Sequence, residues 1–443
     1  MKQIKKNYKK TFQKTNLLVL LIFILSSCSS DDDNGSQPNL SSENLITSIV
    51  FTTANNTVLS EDITAVINQE NLTITLLFPS GTDIHNLIPT IAISNFATVT
   101  PESDVSVDLT SPVIYSVKAE DGTIRNYTIN ATVSEPFSDR EILEIFYKAN
   151  FINTLDWNLN ADSMNSWTGV TVVDDRVTEL ALSSKNINTV PAEFGGLSSL
   201  KALDISENNL SNFPIELGQL NNLERLVANE NEISSLPAEI GNLTNLKYLM
   251  VEDNRLTSLP TEIGNLNQVT SLNSSNNFLV QIPSEIGNMS SLKTLTLNNN
   301  EINSLPDDIG NLSNLETLAL VNNQLALLPA TIGNLDKIIT LNLGYNNLSI
   351  IHSNIGSLSA VEYLKLNNNQ IVMLPLEIGN LTTLRELDLS DNMLRSIPSS
   401  IGDLTTMRLL NLISNELTTI PKKVCNLGSV ISLILTDTNV TCL

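Results

Sequence analysis

Leu236-Pro237-Ala238-Glu239-Ile240-Gly241-Asn242-Leu243 returns 23 residues later as Leu259-Pro260-Thr261-Glu262-Ile263-Gly264-Asn265-Leu266. The stretch ahead of each copy repeats with it. Leu200, Leu203, Ile205, Asn208 and Leu210 become Leu223, Leu226, Ala228, Asn231 and Ile233. From Val177 the phase holds without insertion or deletion to Val430, Leu433, Leu435, Thr438 and Val440, twelve repeats in all. Such a period marks a solenoid, in which one coil cannot bury its own leucines and must stack on the next. The spacing predicts a short strand in each coil, with Leu203 and Ile205 pointing inward. Parallel neighbours about 4.8 Å apart give twelve coils a length of roughly 50–55 Å.

Each coil must turn while buried, so its amides need partners. The column Asn208, Asn231, Asn254, Asn277, Asn300, Asn323, Asn346, Asn369, Asn392 and Asn415 can supply them as a ladder, because an amide side chain both donates and accepts. The column ends in Lys185 on one side and Thr438 on the other. These asparagines are read as structural, not catalytic. The glycine column (Gly218, Gly241, Gly264, Gly287, Gly310, Gly333, Gly356, Gly379 and Gly402) is expected to mark a left-handed turn on the convex side. His352 stands in the proline column and is read as a break in the consensus, not a metal ligand.

The pattern L-x-x-L-x-L-x-x-N-x-L, followed by Leu-Pro-x-x-Ile-Gly-Asn-Leu, resembles the 23-residue class of leucine-rich repeats found in plant Ras-group-related and animal scaffold proteins. That resemblance implies an α/β leucine-rich-repeat solenoid over 177–443 with its parallel strands on the concave face. It also implies a protein-binding scaffold and not an enzyme. Residues 137–176 read as the N-terminal cap. Ser138-Asp139-Arg140-Glu141 is a helix start followed by Ile142, Leu143, Ile145 and Phe146. Trp157, Trp167-Thr168-Gly169-Val170-Thr171 and Arg176-Val177-Thr178-Glu179-Leu180 resemble the cap of plant-type repeat ectodomains, without that cap's paired cysteines. Both tryptophans are read as cap core. At the other end Cys425 and Cys442 read as a capping disulfide in an exported protein, closing a 17-residue loop. The loop-entropy model gives such a bridge roughly 3 kcal/mol. Two buried thiols are the alternative, since a regular last coil would hold the two residues apart.

Ahead of the cap, residues 45–134 change character. Leu72, Ile74, Leu76 and Phe78 alternate with polar residues, as do Val113, Tyr115, Val117 and Ala119, then Tyr127, Ile129, Ala131 and Val133. Asp121-Gly122 suits a tight hairpin turn between the last two runs, and Pro79, Pro89, Pro101 and Pro112 argue against helices. The spacing predicts a small antiparallel sandwich. Ala97-Thr98-Val99-Thr100-Pro101 and Tyr115-Ser116-Val117-Lys118-Ala119-Glu120-Asp121-Gly122 resemble immunoglobulin-like modules of unknown function near the membrane end of surface lipoproteins. The module is read as a spacer, with a ligand-binding sandwich as the alternative.

The N-terminus reads as an address. Lys2, Lys5, Lys6, Lys9, Lys10 and Lys14 precede an apolar run, Leu17 to Leu25. Nine helical residues cover only about 14 Å, too short for a membrane span, so residues 1–27 are read as a signal peptide. Leu25-Ser26-Ser27-Cys28 resembles the lipobox of bacterial lipoproteins, which implies lipidation at Cys28. Ser29-Ser30-Asp31-Asp32-Asp33-Asn34-Gly35 resembles an acidic sorting tag for the surface. Residues 28–44 carry too little apolar surface to offset the entropy of folding and are read as a flexible tether. The expected place is the bacterial outer membrane, lipid-anchored and exposed.

Loss of the first 27 residues leaves 18 basic and 47 acidic residues, a net charge of −29. So acidic a surface repels phosphate backbones and argues against nucleic acid as a partner. The two histidines and three cysteines are too scattered for a zinc site, and no phosphate-cradling loop or nucleophile elbow appears. No metal, cofactor or catalytic residue is therefore expected. A binding function could sit on the outward strand positions; the plain alternative is that scattered exposed side chains there carry no site. Arg225, Val227, Asn229, Tyr248, Met250 and Glu252 form one patch, and Tyr363, Lys365, Asn367, Glu386, Asp388 and Ser390 another. Between them lie Ser271, Asn273, Thr294, Thr296, Thr317 and Thr340. Arg, Tyr and Met are enriched at binding hot spots, so Arg225, Val227, Tyr248, Met250, Tyr363, Lys365 and Asp388 are the candidate contacts for a protein ligand. The alternative is a glycan captured for polysaccharide uptake, for which the face offers only Tyr248 and Tyr363 as aromatic platforms.

Overall fold

The computed structural model describes residues 40–427 and 433–443. The signal peptide, Cys28, the acidic tag, most of the tether and Val430 lie outside the described residues. The chain divides into two compact units, one ending at Glu135 and the other beginning at Pro136.

The first unit is all-β. Its strands are β1 (Ile46–Phe51), β2 (Ile63–Thr64), β3 (Val66–Asn68), β4 (Thr73–Phe78), β5 (Thr90–Ile93), β6 (Thr98–Thr100), β7 (Val113–Lys118) and β8 (Ile124–Val133). They form two sheets, in the orders β2-β1-β5 and β3-β4-β8-β7-β6. Alternation puts Ile46, Ile49 and Phe51 of the first sheet and Ile74, Phe78, Tyr115 and Tyr127 of the second into one core. Phe51 meets Phe78 edge-on, with ring centroids 5.6 Å apart. β7 and β8 form the hairpin around Gly122, whose φ is +90°. The expectation of a purely antiparallel sandwich is corrected: β4 and β8 run parallel, from Thr73 opposite Thr128 to Phe78 opposite Val133. Period-two alternation fixes which side chains are buried. It carries nothing about the direction in which two sequence-distant strands pair.

The second unit opens with α1 (Asp139–Ala149), held by a capping box. The Ser138 hydroxyl accepts the Glu141 amide at 3.3 Å, and the Glu141 carboxylate accepts the Ser138 amide at 2.8 Å. These bonds hold the Glu141 carboxyl below its ordinary pKa, the backbone bond from Ser138 most of all. Ile142, Leu143 and Phe146 face inward, over Trp157 and Trp167, which stack at 5.0 Å. The buried Asp139 carboxylate accepts the Val177 amide at 2.6 Å and pairs with Arg176, tying α1 to the first coil. β9 (Val170–Val173) runs antiparallel to β10 (Arg176–Ala181). From β10 onward the strands of a 13-stranded sheet are parallel. Leu203, Leu226, Leu249 and Leu272 stand opposite one another, all fully buried.

After its strand each coil crosses the asparagine column, then turns at a Pro-led 3-10 segment such as Ala238–Asn242. Here the expectation for the glycine column is corrected. None of these glycines has a positive φ. They are required because the coils stack closely: a Cβ on Gly218, Gly264 or Gly310 would lie 2.4 Å from a carbonyl oxygen of the next coil. The left-handed residue is instead the one before each ladder asparagine, from Glu207 (φ 55°) through Asn299 (55°) to Ser414 (60°).

The last coil breaks register. Leu387 pairs with Leu410 at the regular 23 residues, but Leu410 pairs with Ile434, one residue further than the repeat allows. Leu433 is therefore exposed while Ile434 packs against the core, correcting the inward position expected for Leu433. The preceding return runs through a six-residue α-helix, Lys422–Leu427, where other coils use a five-residue 3-10 turn.

Candidate binding face

The ladder organises the face from beneath. Asn300 is typical: its side-chain oxygen accepts the Leu279 amide of the preceding coil at 3.0 Å. Its side-chain nitrogen donates to the carbonyls of Ser274 and Leu297, at 3.0 and 3.1 Å. The pattern runs from Asn208, which accepts the Lys185 and Ile187 amides, to Asn415, which accepts that of Leu394. At the far end Asp437, not Thr438, closes it: the carboxylate accepts the Ser414 and Asn415 amides at 3.1 and 3.3 Å. At the near end the fully buried Asn150 does similar work, accepting from Asn188 and Thr189 and donating to Phe146 and Thr189. Sequence reading missed Asn150 because it lies in the cap, outside any repeat. Cys425 and Cys442 form a disulfide with Cα atoms 6.2 Å apart. The tail folds back so that Thr441–Cys442 pairs with Thr419–Ile420.

On this frame the outward positions form rows. Glu179, Ala202, Arg225, Tyr248 and Ser271 stand opposite one another on successive strands, and so do Ala181, Asp204, Val227, Met250 and Asn273. Arg225 and Tyr248 are exposed and Met250 is half-buried. Val227 is only 7% exposed, which corrects its candidacy as a contact: strands about 4.8 Å apart leave a short branched side chain covered between Asp204 and Met250. In the second patch Tyr363 stands opposite Glu386 and Lys365 opposite Asp388. All four are half-buried. Lys365 is drawn to Glu386 at 3.5 Å, and the Asp388 carboxylate accepts the Ser390 hydroxyl at 2.7 Å. Five strand spacings, about 24 Å, separate the two patches, so they form two contact areas and not one pocket.

Beside these rows runs a line of exposed ion pairs, Glu224 with Lys247, Lys293 with Glu316 and Glu362 with Arg385. The hydrogen bond from the Lys247 ammonium holds the Glu224 carboxyl below its ordinary pKa. Exposed pairs of this kind add little stability, and their value is in solubility and register. A hollow of about 290 Å3 opens on the face where β9 and β10 meet the strands Ala202–Asp204 and Arg225–Val227. Sequence reading passed over it. The signal available was alanine at an outward position of two successive coils, Ala181 and Ala202, with charged residues on either side. Among the described residues, no group of three or more His, Cys, Asp and Glu could hold a metal ion.

Comparison with known proteins adds the following. A family model described as leucine-rich repeat region matches residues 228–299, 285–351 and 345–442, and one described as leucine rich repeat matches 175–233. A third, described as SGBP, N-terminal, matches 52–131. Among solved structures, a leucine-rich-repeat protein of Leptospira interrogans is 34% identical, with 60% of this chain and 73% of that one covered and a TM-score of 0.50. The plant peptide hormone receptor RGFR1, in complex with RGF2, is 32% identical over 62% of this chain and 49% of that one, with a TM-score of 0.56. The Arabidopsis receptor kinase HAESA, in complex with the peptide hormone IDA and the co-receptor SERK1, is 29% identical over 69% and 54%, with a TM-score of 0.56. The chain thus spans about half the length of these two plant receptors. No curated protein matches it.

Proposed function

Because the chain belongs to the leucine-rich-repeat proteins, we propose that it is a non-enzymatic, surface-anchored scaffold whose strand face holds a protein partner. The observation that carries the reading is the run of Arg225, Tyr248 and Met250 on two adjacent strands of a continuous parallel sheet. Arg and Tyr are the side chains that most often dominate binding energy, because a planar guanidinium or a ring gives large contact for little lost rotamer freedom. The fold resembles that of receptor ectodomains that hold peptide ligands, and RGFR1 and HAESA carry such ligands in their structures. Anchoring is proposed through a lipid on Cys28, in a bacterial outer membrane, on the strength of Leu25-Ser26-Ser27-Cys28 and the acidic residues after it.

The test is capture of a partner from envelope extract on the mature chain, followed by two double variants. Tyr248→Ala with Met250→Ala, and separately Tyr363→Ala with Lys365→Ala, remove the two patches. Glu239→Gln and Asp307→Asn, on the 3-10 side, are controls. Loss of a hot spot costs 2 kcal/mol or more, about thirtyfold in affinity. A partner that binds both double variants normally and is lost with the controls overturns the reading.

A second reading is favoured by one observation, the match of residues 52–131 to the SGBP N-terminal model, a name that points to glycan binding. On that reading the chain captures a surface glycan. A glycan array run beside the protein capture separates the two.

A further inference from the structure

We propose that the hollow at the first three coils is an anchor site for a partner segment carrying a basic and an acidic side chain two residues apart. This rests on the reading of the strand face as a protein-binding surface and specifies what such a partner must present.

The floor and walls come from opposite ends of the residue scale. Ala181 and Ala202 are the floor, and Glu179, Asp204 and Arg225 rise around it with Thr171 of β9 closing one side. Glu179, Ala202 and Arg225 occupy one row across three strands. The Cα atoms of Glu179 and Arg225 are thus about 9.6 Å apart, and the two long side chains could meet above Ala202. They do not: neither the Glu179 carboxylate nor the Arg225 guanidinium takes part in an ion pair or side-chain hydrogen bond among the described residues. Asp204 uses one oxygen on the Ser206 amide and hydroxyl, at 3.1 and 2.6 Å, and keeps the other. Elsewhere along this side of the solenoid, charges in neighbouring coils do find each other, as Glu224 and Lys247 do at 2.7 Å. In the hollow, opposite charges stand near one another and stay apart.

Complementarity then sets the occupant. A lysine or arginine stem fits over the alanine floor while its head reaches Glu179 and the free oxygen of Asp204, as long cationic side chains do when the stem is covered and the head stays polar. Arg225 at the opposite wall takes a carboxylate. In an extended segment, side chains two apart lie on one side at about 6.6–6.8 Å, which suits walls two strand spacings apart. Tyr248, next to Arg225 in the same row, extends the contact along the segment.

The probe is an array of acetylated, amidated peptides Gly-X-Ala-Z-Gly, with X and Z drawn from Lys, Glu and Gln, read with the labelled mature chain. The expected result is that peptides with one Lys and one Glu bind about tenfold more strongly than those with Gln at either place. Glu179→Gln with Asp204→Asn removes the preference for Lys and keeps that for Glu, and Arg225→Gln does the reverse. These three side chains are outside the core, and circular dichroism checks that the variants fold. An array with no charge preference, or preferences that survive the substitutions, overturns the proposal. If that happens while a captured partner still fails on Tyr248→Ala with Met250→Ala, the strand-face reading stands and only the hollow falls. If the array behaves as expected while the partner ignores the strand face, the converse holds.

Discussion

A Cβ atom added to Gly241 would lie 2.5 Å from the carbonyl oxygen of Glu262, one coil further on. Glycine is present there because two backbones touch, not because the chain turns left-handed. The distinction can be tested. Gly241→Ala and Gly241→Asn should both destabilise, by about 1–3 kcal/mol from overpacking. At Gly122, where φ is +90° and nothing lies within 4 Å of a Cβ, Asn should be the better-tolerated substitute, since asparagine accepts positive φ. Chemical denaturation of the purified chain measures both. Asn rescuing Gly241 while Ala does not would return that column to the left-handed reading.

The ladder and the leucine columns make separable contributions. Asn300→Ala leaves the buried Leu279 amide without its acceptor, a cost of about 1–3 kcal/mol, while the Ser274 and Leu297 carbonyls each lose one donor and keep another, Asn277 and Asn323. Leu295→Ala opens a cavity at a fully buried position and should cost about 2–5 kcal/mol. Thr296→Ala, on the strand face, should cost less than either. Equal losses at Leu295 and Thr296 would mean that the two faces have been exchanged.

What the sequence made legible followed from periodicity. A phase kept over twelve repeats makes Leu203 and its equivalents core and Ala202 and Asp204 surface, because a strand has only two faces. What it hid was set by contacts across coils or outside the repeats. The glycine column looks the same in sequence whether it serves φ or close approach. The left-handed positions escape because Glu207, Asp253, Asn299 and Tyr345 share no residue type. The shift that puts Ile434 opposite Leu410 leaves Leu433 in phase on paper. On the face, Val227 fails as a contact because exposure depends on its neighbours, and the hollow at Ala181 and Ala202 is defined by side chains that are missing.

Ser274 occupies the inward column held elsewhere by Ile205, Val251 and Leu297, fully buried, and its hydroxyl has no hydrogen-bond partner. Burying an unpaired hydroxyl costs about 1–3 kcal/mol, whereas alanine would leave only a small void. Ser274→Ala is therefore expected to raise stability by about 1 kcal/mol, read as a higher denaturant midpoint at unchanged slope. A lower midpoint would show that the hydroxyl is bonded in solution.

The proposed anchor makes a chemical prediction at Cys28. Labelled palmitate fed to the producing bacterium should enter the protein, and Cys28→Ala should abolish both labelling and membrane retention. On this reading the acyl chain holds the mature protein to the bilayer. Continued labelling of the alanine variant would move the lipid elsewhere or remove it.

In the all-β unit, the His85 ring lies 2.6 Å from an oxygen of Asp83, which also accepts the His85 amide at 3.0 Å. The hydrogen bond from the ring to the Asp83 carboxylate raises the His85 pKa above its ordinary value, and the attraction between the two charges adds to it. The partner shift lowers Asp83, mainly through the His85 backbone bond. A histidine raised on folding contributes stability that is complete below its unfolded pKa of about 6.5 and fades as pH rises through the folded value. A carboxylate lowered on folding contributes above about 3.9 and loses its contribution as pH falls through the folded value. Both groups are well exposed, so the signature is in titration more than in stability. The chain has two histidines, so the ring protons can be followed one by one by proton NMR, with His352→Gln making the assignment. Asp83→Asn should move the His85 midpoint down toward 6.5. An unchanged midpoint in that variant would show that the pair does not persist in solution.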